Sequence, residues 1–192
     1  TGTIADYTIH EPGQNPDDQH IAYLEARITE LLATSLYQLL EANHFAPLDP
    51  HNIRAFAIQL LASLAFLRQL GVIHSDIKPE NVLMKHRSKV GIKLVDFGTS
   101  MFAHEATFSY IQSRFYRAPE VILGGNYSFP IDMWSFGCLI AELHLGYPLF
   151  AGDNEQEQLS LILRAVGPPT KEYLLNCKHA QKYFGKDYAP KI

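Results

Sequence analysis

The stretch VIHSDIKPENVLM, residues 72–84, carries three chemically distinct side chains on a loop between two short apolar runs. Asp76 offers a carboxylate, Lys78 an ammonium group and Asn81 a side-chain amide, at steps of two and three residues. A carboxylate can accept a proton, a lysine can neutralise phosphate charge and an amide oxygen can bind a metal ion, which are the parts that phosphoryl transfer needs. The loop is therefore a candidate catalytic centre.

A second carboxylate that could bind metal follows shortly afterwards. Asp96-Phe97-Gly98 comes directly after the apolar run Ile92–Val95, which predicts a strand, and the glycine lets the chain turn so that the carboxylate faces the loop. The alternative is that each polar residue merely caps a turn or is solvated, and for any one of them alone this alternative is simpler. Their joint order favours the catalytic interpretation.

The spacing of apolar residues predicts an α+β domain that is mainly helical, with short strands. The predicted elements are a helix from Leu36 to about Asn43 capped by Ser35, a helix over 52–70, a strand at 72–73, a hairpin of 82–84 and 92–95, a central buried helix over 131–145 and a helix capped by Asn154. The range 98–125 is predicted to be irregular.

Composition and charge limit the classes of function. With 192 residues, 47% of them hydrophobic, the chain has the size of one globular domain. A net charge of −4 without a run of basic residues argues against nucleic acid as a partner, because neutralising phosphates needs a clustered basic face. Two cysteines are too few to stabilise a domain of this size through disulfide bonds. We find no leader sequence and no membrane-spanning stretch. We expect a soluble protein of the cytoplasm and/or nucleus, with no membrane partner.

Three motifs in order resemble those of a known family. HSDIKPEN, residues 74–81, resembles the catalytic loop of eukaryotic protein kinases, DFG at 96–98 their magnesium motif, and APE at 118–120 the end of their activation segment. The strings SYIQSRFYRAPEVILG, residues 109–124, and PIDMWSFGCLIAELHLGYPLF, residues 130–150, are similar to the dual-specificity tyrosine-regulated kinases of the CMGC group, most closely to their second class. The resemblance implies a protein-kinase-like fold, here mainly its α-helical C-lobe.

The same resemblance implies ATP-dependent transfer of the γ-phosphoryl group to serine or threonine of protein substrates, with Mg²⁺ as a further cofactor. Asp76 would orient and deprotonate the substrate hydroxyl, and Lys78 would steady the transferred group. Asn81 and Asp96 would hold magnesium. The residues implied for ATP binding are the gatekeeper Thr29, the hinge residues Glu30 and Leu31, Ser35 near the ribose, and Leu83 and Val95 as walls of the adenine pocket, together with Asp96.

Residues of the activation segment would carry regulation and specificity. Tyr110 matches the tyrosine that these kinases phosphorylate on themselves, and Arg114 and Arg117 could bind the resulting phosphate. Without phosphate, both arginines could instead pair with surface acids. Arg117 also resembles the CMGC arginine linked to a preference for proline after the target residue. Ser75 stands where many kinases have an arginine that binds phosphate, so we infer that control passes through Tyr110 and the arginine pair.

The resemblance to protein kinases also implies structural roles for two acidic residues. Asp132 is similar to the aspartate that accepts backbone N–H bonds from the catalytic loop, and an ordinary acid at a helix N-terminus is the alternative. Glu120, in the APE motif, would pair with an arginine from helices beyond the end of this chain.

Two parts of a kinase are missing from the sequence. Gly2 and Gly13 are the only glycines among the first 70 residues and no lysine precedes Lys78, so neither the glycine-rich loop nor its partner lysine is present. We therefore expect residues 1–32 to be a remnant of N-lobe strands and hinge, residues 33–192 to be an incomplete C-lobe, and the chain alone to be inactive. The alternative is a pseudokinase-like module that binds proteins without catalysis. The retained catalytic residues favour the kinase.

Overall fold

The computed structural model describes residues 34–86 and 89–191, which form helices and short strands, so the predicted α+β class is confirmed. The helices are α1 (Leu36–Ala42), α2 (Pro50–Gln69), α3 (Pro119–Ile122), α4 (Pro130–Leu145), α5 (Glu155–Val166), α6 (Lys171–Leu175) and α7 (Ala180–Tyr183). The strands are β1 (Thr34–Ser35), β2 (Val72–Ile73), β3 (Val82–His86), β4 (Lys89–Leu94) and β5 (Met101–Phe102). Single 3₁₀ turns lie at Pro79–Asn81, Ala103–Glu105 and Arg114–Tyr116.

The strands form two small antiparallel sheets that hold the candidate catalytic loop. β3 pairs with β1 on one side and β4 on the other, with Ser35 opposite Leu83. β2 pairs with β5, with Ile73 opposite Met101. Because β2 ends where the loop 74–81 begins and β3 starts where it ends, each end of the loop is fixed by a different sheet.

Most predicted elements are confirmed, although some ends differ. α1 is capped by Ser35, whose Oγ accepts the backbone N–H of Gln38 at 3.1 Å while the Gln38 side chain accepts the N–H of Ser35. α2 begins at Pro50, earlier than predicted, because Asp49 is the N-cap and proline suits the first helical position. α5 is capped by Asn154 as predicted.

The range 98–125, predicted to be irregular, contains ordered elements. β5 and α3 both lie within it, and β5 completes a sheet with β2. α6 and α7 near the end of the chain were also not predicted. Two-residue strands and helices of about one turn have no measurable period, so the pattern of apolar residues does not reveal them.

Helix α4 lies at the centre of the apolar core, as predicted. Leu139 and Leu143, both 0% exposed, pack in a cluster with α1 and α2, whereas Cys138 packs with α5 and Ile131 with β2 and β5. Burying one such leucine fully stabilises the fold by about 1.5–3 kcal/mol. None of the helices described combines the length and the hydropathy needed to cross a bilayer.

Gly146 ends α4 in a left-handed conformation, with φ +87°. A Cβ at this position would overlap the backbone carbonyl oxygen of Phe45, which lies in the loop between α1 and α2. We expect Gly146→Ala to lower the free energy of unfolding by about 3 kcal/mol, because the backbone conformation and the close approach both oppose a side chain.

Gly71→Ala is the control for this prediction. Gly71 has φ +77° but open space around the position of a Cβ, so its substitution is expected to cost only the backbone strain, about 1–2 kcal/mol. Denaturant unfolding of both variants measures the difference, and equal costs would contradict the close packing of Gly146 on Phe45.

Candidate active site

A buried carboxylate anchors the catalytic loop to α4. Asp132 Oδ2 accepts the backbone N–H of His74 at 2.7 Å, and Oδ1 accepts that of Ser75 at 2.9 Å. These contacts join α4 to the loop, as the resemblance implied for Asp132, and an acid serving only its own helix would not make them. Burial raises the pKa of Asp132 to about 6, although the two N–H donors favour its ionised form.

Ser75 fits the loop through its backbone conformation and its hydroxyl group. Its φ of +65° is unusual for a residue other than glycine, and its N–H bond to Asp132 helps to hold it. The buried Oγ donates to the carbonyl oxygen of Thr99 at 2.6 Å. Ser75 therefore ties the catalytic loop to the segment that follows the DFG motif.

His74 connects the loop to the end of β4. Its Nδ1 accepts the backbone N–H of Asp76 at 3.2 Å, so Nε2 carries the proton and donates to the carbonyl oxygen of Val95 at 3.0 Å. Burial lowers the pKa of His74, which keeps this neutral form. The ring of Phe97 contacts the imidazole edge-to-face, with ring centroids 4.8 Å apart.

Three side chains donate hydrogen bonds to the Asp76 carboxylate. Lys78 Nζ lies 2.7 Å and Asn81 Nδ2 3.0 Å from Oδ2, and Ser113 Oγ donates to Oδ1 at 2.8 Å. Burial opposes ionisation, but these donors and the charge of Lys78 outweigh it, so the pKa of Asp76 lies below its usual value. Asp76 is therefore an ionised hydrogen-bond acceptor at neutral pH.

Ser113 is a site residue that the sequence pattern did not reveal. Its hydroxyl donates to Asp76 and accepts from Lys78 Nζ at 3.1 Å, although it lies 37 residues from Asp76 along the chain. Ser113 lies within the stretch 109–124 that resembles the tyrosine-regulated kinases, but no spacing rule connects it with the catalytic loop. The path of the activation segment brings it there.

We expect Ser113→Ala to lower kcat for the phosphoryl transfer predicted from the sequence by about tenfold or more, because the Asp76 carboxylate loses a charge-assisted hydrogen bond. Ser113→Thr keeps the hydroxyl group and is expected to stay within about threefold of wild type. Steady-state assays on one peptide measure both. Equal loss in both variants would show that the hydroxyl is not the cause.

The structure places Asp96 close to the other predicted metal ligand. The N–H of Val95 donates to the carbonyl oxygen of Asn81 at 3.0 Å, so the DFG motif starts beside the catalytic loop. The negative charges of Asp76 and Asp96 both act on the imidazole of His74 and raise its pKa against the larger effect of burial. Residues 76, 81 and 96 are thus brought to one region.

Of the residues predicted to bind the nucleotide, Thr29, Glu30 and Leu31 lie outside the described residues. Ser35 and Leu83 are cross-strand partners, 7% and 9% exposed, and Val95 is partly buried just beyond β4. Ser35 Oγ already accepts a bond in the cap of α1, so a ribose contact would use its hydroxyl hydrogen. Nucleotide binding by these residues stays a prediction.

The two arginines predicted to bind phosphate are engaged within the protein. Arg117 is 3% exposed; its Nη1 pairs with Glu155 at 3.1 Å, and its other donors bind backbone carbonyl groups of the activation segment. Arg114 Nη1 donates to the carbonyl oxygen of Asp153 at 2.6 Å. The ring of Tyr110, 77% exposed, lies with its centroid 4.6 Å from the Arg117 guanidinium carbon. The alternative of pairing with an acid therefore describes Arg117, while Arg114 binds backbone.

Glu120 is partly buried at the start of α3, and burial raises the pKa of its carboxyl group. Within the described ranges no salt bridge includes Glu120. Its pairing with an arginine beyond residue 192 stays a prediction.

Comparison with known proteins identifies the family to which this chain belongs. The protein kinase domain model matches residues 19–183. The chain belongs to the protein kinase family. It is 48% identical over 162 residues to the probable serine/threonine-protein kinase dyrk2 of Dictyostelium discoideum and 47% identical over 163 residues to the DYRK-family kinase pom1 of Schizosaccharomyces pombe. The human dual specificity tyrosine-phosphorylation-regulated kinase 3 is 48% identical over 155 residues.

These alignments cover most of the chain but little of each relative. They span 84%, 85% and 81% of this chain, and 18%, 15% and 26% of the three relatives in the same order. The chain thus corresponds to about a quarter or less of each of these kinases. The resemblance to protein kinases, and to their tyrosine-regulated branch, is confirmed.

Protein kinase domains use ATP with Mg²⁺, and the oxygen donors at this site suit that ion. Mg²⁺ prefers oxygen ligands and is usually held by one or two carboxylates together with phosphate oxygens. The Asp96 side chain is exposed, and the Asn81 amide nitrogen is bonded to Asp76, which leaves the amide oxygen of Asn81 for a cation. Mg²⁺ bound by Asn81 and Asp96 would neutralise charge on the ATP phosphates.

Proposed function

We propose that this chain is the catalytic part of a kinase that transfers the γ-phosphoryl group of ATP to serine or threonine of protein substrates. The observation that carries the proposal is the ionised Asp76 carboxylate, held by Lys78, Asn81 and Ser113 in the region of Asp96. The substrate hydroxyl oxygen bonds to the γ-phosphorus while the bond to the bridging oxygen of ADP breaks. Asp76 accepts the hydroxyl proton, and Lys78 supplies positive charge beside it.

The backbone of the activation segment supports a preference for proline after the target residue. The carbonyl oxygen of Gln112, next to Ser113, accepts Nη2 of Arg117 at 2.8 Å and Nε at 3.3 Å. Because two donors of Arg117 share this oxygen and the carbonyl group is directed toward the guanidinium, it is not free to accept the N–H of the substrate residue that follows the target. Proline has no N–H to leave unpaired, so it avoids this cost.

Autophosphorylation on Tyr110 is the regulatory part of the proposal. The exposed Tyr110 side chain is accessible to phosphorylation, and Arg117 already lies against its ring. A phosphate on Tyr110 would compete with Glu155 for the Arg117 guanidinium. The human and Dictyostelium relatives carry tyrosine-regulated and serine/threonine kinase names, which supports both specificities.

We further propose that residues 1–32 are hinge and N-lobe remnant, residues 33–192 an incomplete C-lobe, and that the chain alone transfers little phosphate. Positioning of the ATP phosphates supplies much of the catalysis, and the sequence holds no glycine-rich loop or partner lysine to clamp them.

A direct assay tests this function. The 192-residue chain and a longer protein that contains it are each incubated with radiolabelled ATP, Mg²⁺ and a peptide with serine before proline. We expect transfer by the longer protein only, with phosphotyrosine that disappears in Tyr110→Phe. Robust transfer by the short chain would contradict its proposed incompleteness. No transfer by the longer protein, with partner binding kept, would favour the pseudokinase-like module.

A further inference from the structure

Gln112 holds an unusual backbone conformation in the activation segment. Its φ is +65°, in the left-handed region that residues other than glycine rarely adopt, and it is 7% exposed. Such a conformation persists only where the surrounding structure holds it. The side chain of Gln112 itself supplies that support.

The side-chain amide of Gln112 forms three hydrogen bonds with the surrounding protein. Nε2 donates to the carbonyl oxygen of Ile131 and to Ser135 Oγ, both at 2.9 Å, and Oε1 accepts the backbone N–H of Ala118 at 2.8 Å. The first two partners lie on α4, the central helix, and the third lies just before α3. One side chain therefore fixes this turn against two rigid elements.

The conformation of this turn sets the orientation of the Gln112 carbonyl group and of the Ser113 hydroxyl group. In this conformation the Gln112 carbonyl oxygen faces Arg117, and the next residue, Ser113, reaches Asp76 with its hydroxyl group. If the turn relaxed to an ordinary conformation, the carbonyl group would rotate and could accept a hydrogen bond from substrate. Arg117 would then lose the Gln112 carbonyl oxygen as a partner and keep that of Ile111.

We propose that Gln112 is a positioning residue for substrate specificity: its side chain locks the turn that keeps its own carbonyl group away from the residue after the target hydroxyl. This inference rests on the proposed preference for proline and assigns that preference to a buried side chain. Arg117 holds the carbonyl group, and the Gln112 amide keeps the backbone in the conformation that lets it do so.

The test uses three peptides that differ only after the target serine, where they carry proline, N-methylalanine or alanine. N-methylalanine lacks the N–H but has no proline ring, so it isolates the effect of the amide hydrogen. In the intact wild-type kinase we expect kcat/KM for proline and for N-methylalanine to exceed that for alanine by about tenfold or more. In Gln112→Ala we expect this ratio to fall to within about threefold, whatever the change in overall rate.

Ile111→Val is the control, since it alters a neighbouring buried side chain without removing a side-chain hydrogen bond, and it should keep the wild-type ratio. If Gln112→Ala does not fold, Gln112→Met replaces it, because methionine keeps the length of the side chain and the strain at φ +65° but lacks the amide. A wild-type enzyme without preference would overturn the proposed proline specificity. A preference that persists in the Gln112 variant would overturn the role of Gln112 alone.

Discussion

We expect Asp76→Asn to lower the kcat of an intact kinase containing this chain by roughly 10² to 10⁴, the usual contribution of a positioned general base. Asparagine keeps the size of the side chain and one oxygen acceptor, but it cannot take a proton from the substrate hydroxyl. It also loses the charge that pairs with Lys78 at 2.7 Å. KM for ATP should change much less, because the proposed partner of Asp76 is the substrate hydroxyl group and not the nucleotide.

Asp187→Asn is the matched control for this prediction. Asp187 is exposed near the C-terminus, where its Oδ1 accepts the N–H of Ala189, and asparagine keeps such an acceptor. Its kcat should equal that of wild type. Rapid-quench measurement of the first turnover separates the chemical step from product release. An unchanged chemical rate in Asp76→Asn would remove Asp76 from the mechanism.

The second large effect is expected at Asp132. Asp132→Ala leaves the backbone N–H groups of His74 and Ser75 without their acceptor in a buried region, and each such group costs about 1–3 kcal/mol. Removing a buried charge offsets part of this cost. We expect the free energy of unfolding to fall by about 3 kcal/mol and activity to be lost, because the strained Ser75 that precedes Asp76 loses its anchor.

The size of the effect distinguishes the two roles considered for Asp132. An acid that only stabilises the start of α4 would contribute about 0.3–1 kcal/mol. Asp132→Asn, which keeps one oxygen acceptor, should lie between wild type and Asp132→Ala in urea unfolding. If the free energy of unfolding falls by less than about 1 kcal/mol in Asp132→Ala, the residue stabilises only the start of α4.

The clustering of the loop residues could be predicted from sequence, whereas their chemical roles stay predictions. Asp76, Lys78 and Asn81 lie on one short loop, so their proximity follows from local spacing. Asp132 could be assigned only by resemblance, since its bonds to the loop span more than fifty residues.

Contacts that depend on the path of the activation segment could not be predicted. Ser113 reaches Asp76, and Gln112 reaches α4, only because the segment folds back across the catalytic loop and the central helix. The hydrogen bond from Arg114 to a distant backbone carbonyl group likewise has no recognisable sequence pattern. The pairing of β2 with β5 involves strands too short to show alternation.

We propose that Asn81 and Asp96 hold Mg²⁺ beside Asp76 and the ATP phosphates. Calorimetric titration of ATP into an intact kinase, with and without Mg²⁺, tests it most directly. In the wild type we predict that Mg²⁺ tightens ATP binding by about tenfold or more, and that Asp96→Asn removes this gain while Asp187→Asn keeps it. ATP affinity that is independent of Mg²⁺, or equally Mg²⁺-dependent in Asp96→Asn, would show that Asp96 does not hold the ion.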